Sequence, residues 1–137
     1  MNNKINWLEW NKEGFNKSKK EKKPVLLSIS AVWCHWCHNM DNLAYSNEEI
    51  TKFINKNYIP IRVDTDKRPD INESYNMGGW PTTAILSSDG EVLNGATYLP
   101  IEDMMLFLKN GIDLFNQENR INTNLFRKRR VKHKYFF

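Results

Sequence analysis

"AVWCHWCHNM", residues 31–40, holds both cysteines of the chain, two of its three histidines and two of its five tryptophans. Four readings of it compete: a redox couple, a haem attachment site, a metal nest and a piece of core. Position in the chain weighs between them. The apolar run "VLLSIS", residues 25–30, directly precedes it and suits a buried strand. The motif itself opens a predicted helix. Two cysteines two residues apart between strand and helix form a dithiol motif. The unpaired N–H groups and dipole of a helix start favour an anion at Cys34. Cys37, one turn further in, would be shielded and act as the resolving thiol. A protonated His35 close by would favour the Cys34 anion in the same sense.

The other readings are weaker. Cys34, Cys37 and His38 also spell the C-x-x-C-H of covalent haem attachment. That chemistry needs export machinery, and the N-terminal "MNNKINWLEWNKEGF" lacks the uninterrupted apolar stretch of a secretory signal. A cytoplasmic location is therefore the expectation. A structural zinc normally draws a second pair of ligands from a distant segment. The third histidine, His133, lies far off near the C-terminus, so no metal site is expected. Two inert buried thiols remain the plain structural account.

The 137 residues fit one domain of ordinary composition, and no apolar run is long enough to span a membrane. The net charge of +4 is concentrated at one end. Residues 120–137 carry seven Lys/Arg and no acid, leaving thirteen basic and sixteen acidic residues in 1–119. The expected division is a domain over 1–118 and a basic tail over 119–137. That tail is a solvated end or a contact for an acidic partner, RNA or a membrane surface. The body shows no organised basic footprint, so a nucleic-acid partner is not expected.

Outward from the motif, Trp7, Trp10 and Phe15 predict an amphipathic helix over 6–20. "SNEE", residues 46–49, reads as a capping box led by Ser46, with a helix to about Asn57. "YIPIRVD" predicts a second strand, and Asp70 a cap for a short helix to about Met77. "TTAIL" is a third strand, "SSDG" a hairpin turn and "EVLNGATYL" a fourth strand. Ile101, Met105, Leu108, Ile112 and Phe115 keep helical spacing to about 118. The order predicts an α/β fold: a central mixed four-stranded sheet with helices on both faces.

"GGWPTTAIL" follows the dithiol motif by some forty residues. With "CHWCH" and the Arg68-Pro69-Asp70 loop it makes a specific set over about residues 5–100. The set resembles the thioredoxin-like superfamily, and within it the DsbH-like thioredoxin domain of the YyaL and spermatogenesis-associated protein family. The resemblance implies a thioredoxin-like fold and a thiol–disulfide oxidoreductase acting on protein or small-molecule thiols and disulfides. Its electrons would come from a thiol reductase system, and it would need no bound cofactor. It further implies that Pro81 is a cis-proline facing the cysteines. Trp80 before it would offer backbone groups to a substrate strand.

Cys34, Cys37 and His35 are then the catalytic candidates, and Trp33, Trp36, Trp80 and Pro81 the substrate-binding ones. Trp33 and Trp36 read equally as an apolar lip for substrate or as packing beside the site. Two departures from ordinary thioredoxins bear on the chemistry. His35-Trp36 separates the cysteines, and Ser28 stands where a buried acid is expected. Proton transfer from Cys37 would then fall to water, His38 or a carboxylate from elsewhere. Arg68 with Asp70 reads as a structural ion pair, and Asp64 with Asp66 as loop caps. The rival class is a non-catalytic binding or redox-sensing module on the same scaffold.

Overall fold

Strand β1, Val25–Ser30, runs through the middle of the molecule and organises everything around the motif. It pairs in parallel with β2, Ile59–Asp64, and antiparallel with β3, Thr82–Leu86, which in turn pairs with β4, Val92–Ala96. The resulting order is β2-β1-β3-β4, in a computed structural model that describes residues 4–123. Alternation along β1 sends Val25, Leu27 and Ile29 to one face and Leu26, Ser28 and Ser30 to the other. Both faces are covered, so five of its six residues are buried. On the first face Phe15 of α1, Lys12–Glu21, and Ile71 and Tyr75 of α4, Pro69–Tyr75, pack with Ile61 and Val63. On the second, Leu26 meets Met40 of α2, His35–Asn42, with Ile50 and Ile54 of α3, Glu48–Asn57. Met104 and Leu108 of α5, Ile101–Thr123, complete that core. The predicted α/β architecture is the observed one.

Local boundaries differ in instructive ways. The first helix starts at Lys12 rather than residue 6, capped by the Asn11 side chain accepting from the Glu13 N–H at 3.0 Å. Residues ahead of it lie along the edge of β2, where the Leu8 N–H donates to the Pro60 carbonyl and Arg62 N–H to the Leu8 carbonyl. Trp7 packs on the α3 side of the sheet and Trp10 on the α1 side. An extended chain wrapping the sheet edge can put two residues three apart on opposite faces; a helix would stack them on one.

The cap of α3 is Asn47, whose Oδ1 accepts from the Ile50 N–H at 3.0 Å. Ser46, the expected cap, instead ends a 3-10 turn (Ala44–Ser46) and donates to the Asp41 carbonyl at 2.6 Å. That tight turn advances the chain by one residue, which moves the cap. Asp70 does not cap α4 either. Arg68 precedes the helix, Pro69 fills its first position, and the Asp70 carboxylate takes the Arg68 guanidinium at 2.8 and 3.0 Å. The ion-pair reading of these two is the observed one.

Strand β4 stops at Ala96 instead of Leu99, because Tyr98 and Leu99 turn onto α2. The Tyr98 hydroxyl donates to Asn39 Oδ1, and the Leu99 N–H points to Met40 Sδ at 3.4 Å. Helix α5 runs past 118 to Thr123. The rest of the expected basic tail lies outside the described residues. Among the described residues, no helix is long and apolar enough to cross a membrane.

Candidate active site

The chain leaves β1 at Ser30, makes one turn, and enters α2 at His35, so Cys34 occupies the N-cap. Its backbone is extended and its sulfur accepts the Cys37 N–H at 3.2 Å. A thiol sulfur here does what a serine or aspartate oxygen does at other helix starts. The Cys37 N–H belongs to the first turn of α2, where backbone donors have no intrahelical partner. Both cysteines are free, and Cys34 keeps 6% of its surface open against 2% for Cys37. Cys34 is the outer sulfur and Cys37 the inner one.

Burial pushes the Cys37 thiol up to about 11, and its hydrogen bond with Cys34 adds to the shift; Ala31 and Ser30 oppose it weakly. Burial likewise raises Tyr45 and Tyr75 to about 12. The sign follows directly. Between the ordinary thiol and phenol range and these raised values, the unfolded chain has released protons that the folded chain still holds. Stability is fully present below about pH 9 and falls as pH climbs toward 11 and then 12. Thermal melts across pH 8–12 should fall steadily, and Cys37→Ala should flatten the part between 9 and 11. A wild-type melting curve that stays level over that range contradicts the assignment.

The remaining sequence candidates lie on α2, on the loop before it and on the Trp80–Pro81 turn. His35 is the first residue of α2 and is exposed, its ring edge-on to Trp36 at 5.3 Å. His38, which haem attachment would use as an axial ligand, is turned back onto the motif's own loop. Its Nε2 lies 2.8 Å from the Val32 carbonyl, to which it donates. Trp33 and Trp36 are more than half exposed and Trp80 is 37% exposed. Trp33 and Trp80 meet edge-to-face at 5.4 Å, and Trp36 meets Tyr98 in the same way. The Trp80–Pro81 peptide is cis. Trp36, Gly78, Gly79, Trp80, Thr97 and Tyr98 line an open groove of about 420 Å³. The three exposed tryptophan rings lie outside the apolar core.

Several contributors carried no readable signal in the sequence. The Trp33 indole donates to Asp66 Oδ2 at 2.9 Å, so Asp66 holds a tryptophan while Asp64 alone does the loop capping. Ser28 receives Arg62 Nη2 at 3.1 Å, and the same guanidinium grips Asp41 at 2.7 and 3.0 Å. Asp41 lies one turn beyond Cys37 on α2, and its carboxylate is paired with Arg62. Trp7 lies 4.5 Å from that guanidinium, over its ring face. The only forewarning available was the register opposite: a serine on a central strand next to an arginine on its neighbour.

A mixed four-stranded sheet carrying two cysteines at a strand-to-helix turn, with a cis-proline turn leading into β3, defines the thioredoxin-like class. Residues 1–118 match the Thioredox_DsbH family, described as "Protein of unknown function, DUF255", and the chain belongs to it. The resemblance read from the sequence is thereby borne out. Spermatogenesis-associated protein 20 of Mus musculus is 39% identical over 109 residues, covering 74% of this chain and 14% of that protein. An uncharacterized protein of Caenorhabditis elegans is 38% identical over 110 residues, covering 74% and 15%. The chain thus spans about one seventh of the length of these relatives. Among solved structures, a DsbH oxidoreductase superposes with a TM-score of 0.71 at 19% identity, covering 81% of this chain and 86% of that one. A Thermus thermophilus thioredoxin gives 0.72 at 13%, covering 90% and 98%. Identities this low carry the fold alone.

Proposed function

We propose that the chain is a thiol–disulfide oxidoreductase. The observation that carries this reading is the Cys34 sulfur accepting an N–H at the start of α2 with Cys37 buried behind it. In the reducing direction the Cys34 thiolate attacks one sulfur of a substrate disulfide. A Cys34–substrate disulfide forms, and the substrate's other sulfur leaves as a thiolate that takes a proton. Cys37 then gives up its proton and attacks the Cys34 sulfur, closing the Cys34–Cys37 disulfide and freeing the second substrate thiol. Two electrons and two protons from an external dithiol reset the pair, so no resident cofactor is required. Run backwards, the same steps oxidise a dithiol.

His35, the exposed first residue of α2 and the neighbour of Cys34 in sequence, completes the proposed catalytic set. Trp33, Trp36 and Trp80 offer the apolar bed for substrate. The Trp80–Pro81 turn offers the backbone groups that an extended substrate would pair with. Both protein disulfides and small thiols fit this chemistry.

The test is selective trapping. In Cys37→Ser the second step is blocked, so mixed disulfides should accumulate on Cys34 and be released by dithiothreitol. In the wild type at pH 7, a thiol at about 11 is almost wholly protonated, so iodoacetamide should label Cys34 much faster than Cys37. Matching rates, or no trapped disulfide from a lysate or from oxidised insulin, count against the assigned roles.

A further inference from the structure

The turn that carries Trp80 and Pro81 hangs on two asparagine side chains of or next to α4. Asn72 Oδ1 accepts the Trp80 indole N–H at 3.1 Å and the Asn76 amide at 2.8 Å. Asn76 Oδ1 in turn accepts the N–H groups of Gly78 and Gly79, both at 2.8 Å. Thr82 closes the other side, its hydroxyl donating to the Gly79 carbonyl at 2.7 Å and accepting the Met77 N–H. Gly78, Gly79 and Trp80 are three of the six residues that line the groove. One carboxamide oxygen is therefore common to the groove's indole wall and, through Asn76, to its glycine floor.

This arrangement answers a physical problem. An exposed ring has little packing to fix its rotamer and reorients on the picosecond to nanosecond scale. Trp80 is more than a third exposed, and Gly78 has φ of +110° with open space where a side chain would be. Neither wall nor floor is pinned by burial. The amide bonds pin them instead, and the Trp33 ring, itself tied to Asp66, braces Trp80 from the far side. A wall fixed before substrate arrives spares the ordering cost of binding.

Resting on the oxidoreductase reading above, we propose that Asn72 is a positioning residue that acts through Trp80 to preset the groove for polypeptide substrates. It touches neither sulfur and takes no part in bond exchange. Its effect falls on protein disulfides, which must lie along the turn, and spares small disulfides, which reach Cys34 without it.

Steady-state reduction of insulin with dithiothreitol as reductant, and single-turnover reduction of 5,5′-dithiobis(2-nitrobenzoate) by prereduced protein freed of dithiothreitol, for wild type, Asn72→Ala and Asn72→Asp, test this. Asn72→Ala loses both acceptor bonds, and loss of the one to the Trp80 indole, at ordinary strength, should raise the KM for insulin about fivefold. The insulin kcat and the rate with the small disulfide should be unchanged. Asn72→Asp, which keeps both acceptor bonds, should restore the wild-type KM. An unchanged KM in Asn72→Ala overturns the proposal. So does equal loss on both substrates, an Asp variant as impaired as the Ala one, or a variant that no longer folds, since the bonds would then be structural. Wild type that reduces neither substrate instead overturns the oxidoreductase reading, and this inference with it.

Discussion

Replacing Cys34 by serine should abolish disulfide exchange, lowering insulin reduction by about three orders of magnitude or more, while leaving the fold intact. Thiolate is the attacking species, and a serine hydroxyl stays protonated at any working pH. Serine is nonetheless a good N-cap, so its oxygen can take over the Cys37 N–H that the sulfur now accepts. The variant should therefore melt close to the wild type, separating chemistry from stability in one protein. Residual reduction at the wild-type rate in Cys34→Ser removes the proposed chemistry and leaves the scaffold reading. Cys37→Ser should keep the first step and lose the second, so its single-turnover burst survives while steady turnover does not.

The second large effect concerns α5. Gly111 lies in the interior of a 23-residue helix, where alanine is ordinarily preferred by about 1 kcal/mol. Helix propensity alone therefore predicts that Gly111→Ala stabilises. Packing reverses the sign. A Cβ there would collide with Ile85 Cδ1 on β3 and with the Tyr58 hydroxyl. Both residues are essentially fully buried, and Tyr58 is committed to a hydrogen bond with the Leu108 carbonyl at 2.6 Å. Overpacking such a site costs about 1–3 kcal/mol, and disturbing the tyrosine bond about 1 kcal/mol more. The net should be a loss of about 2 kcal/mol, lowering Tm by roughly 5–10 °C. Gly95→Ala is the control. The three atoms nearest its Cβ would all belong to the flexible side chain of Met77, which can move, so its Tm should change little. A Gly111→Ala protein that melts higher than wild type would mean α5 is not seated this closely on the sheet.

What could be read in advance was set by local rules. Apolar "VLLSIS" followed by two cysteines two apart made a buried strand, a turn and a helix start, and the mixed sheet followed from the order of elements. The errors fell where one residue's partner is far away in the chain. Trp7 and Trp10 fitted a helical stripe, yet they clasp opposite faces of a sheet edge, because the parallel contact with β2 outweighs local propensity. Ser46 fitted a capping box, yet a 3-10 turn handed the cap to Asn47.

The candidate site divides along the same line. The amino-acid order marked Cys34 and Cys37 as its parts, since a helix terminus acts on the residue next to it in sequence, and the family resemblance added the Gly78–Pro81 turn. Tertiary structure alone paired Asp41 with Arg62. It also set Arg62 against Ser28 and tied Trp33 to Asp66 and Trp80 to Asn72. Burial and side-chain hydrogen bonds depend on separation in space, and only the folded sheet brings those residues within reach of one another.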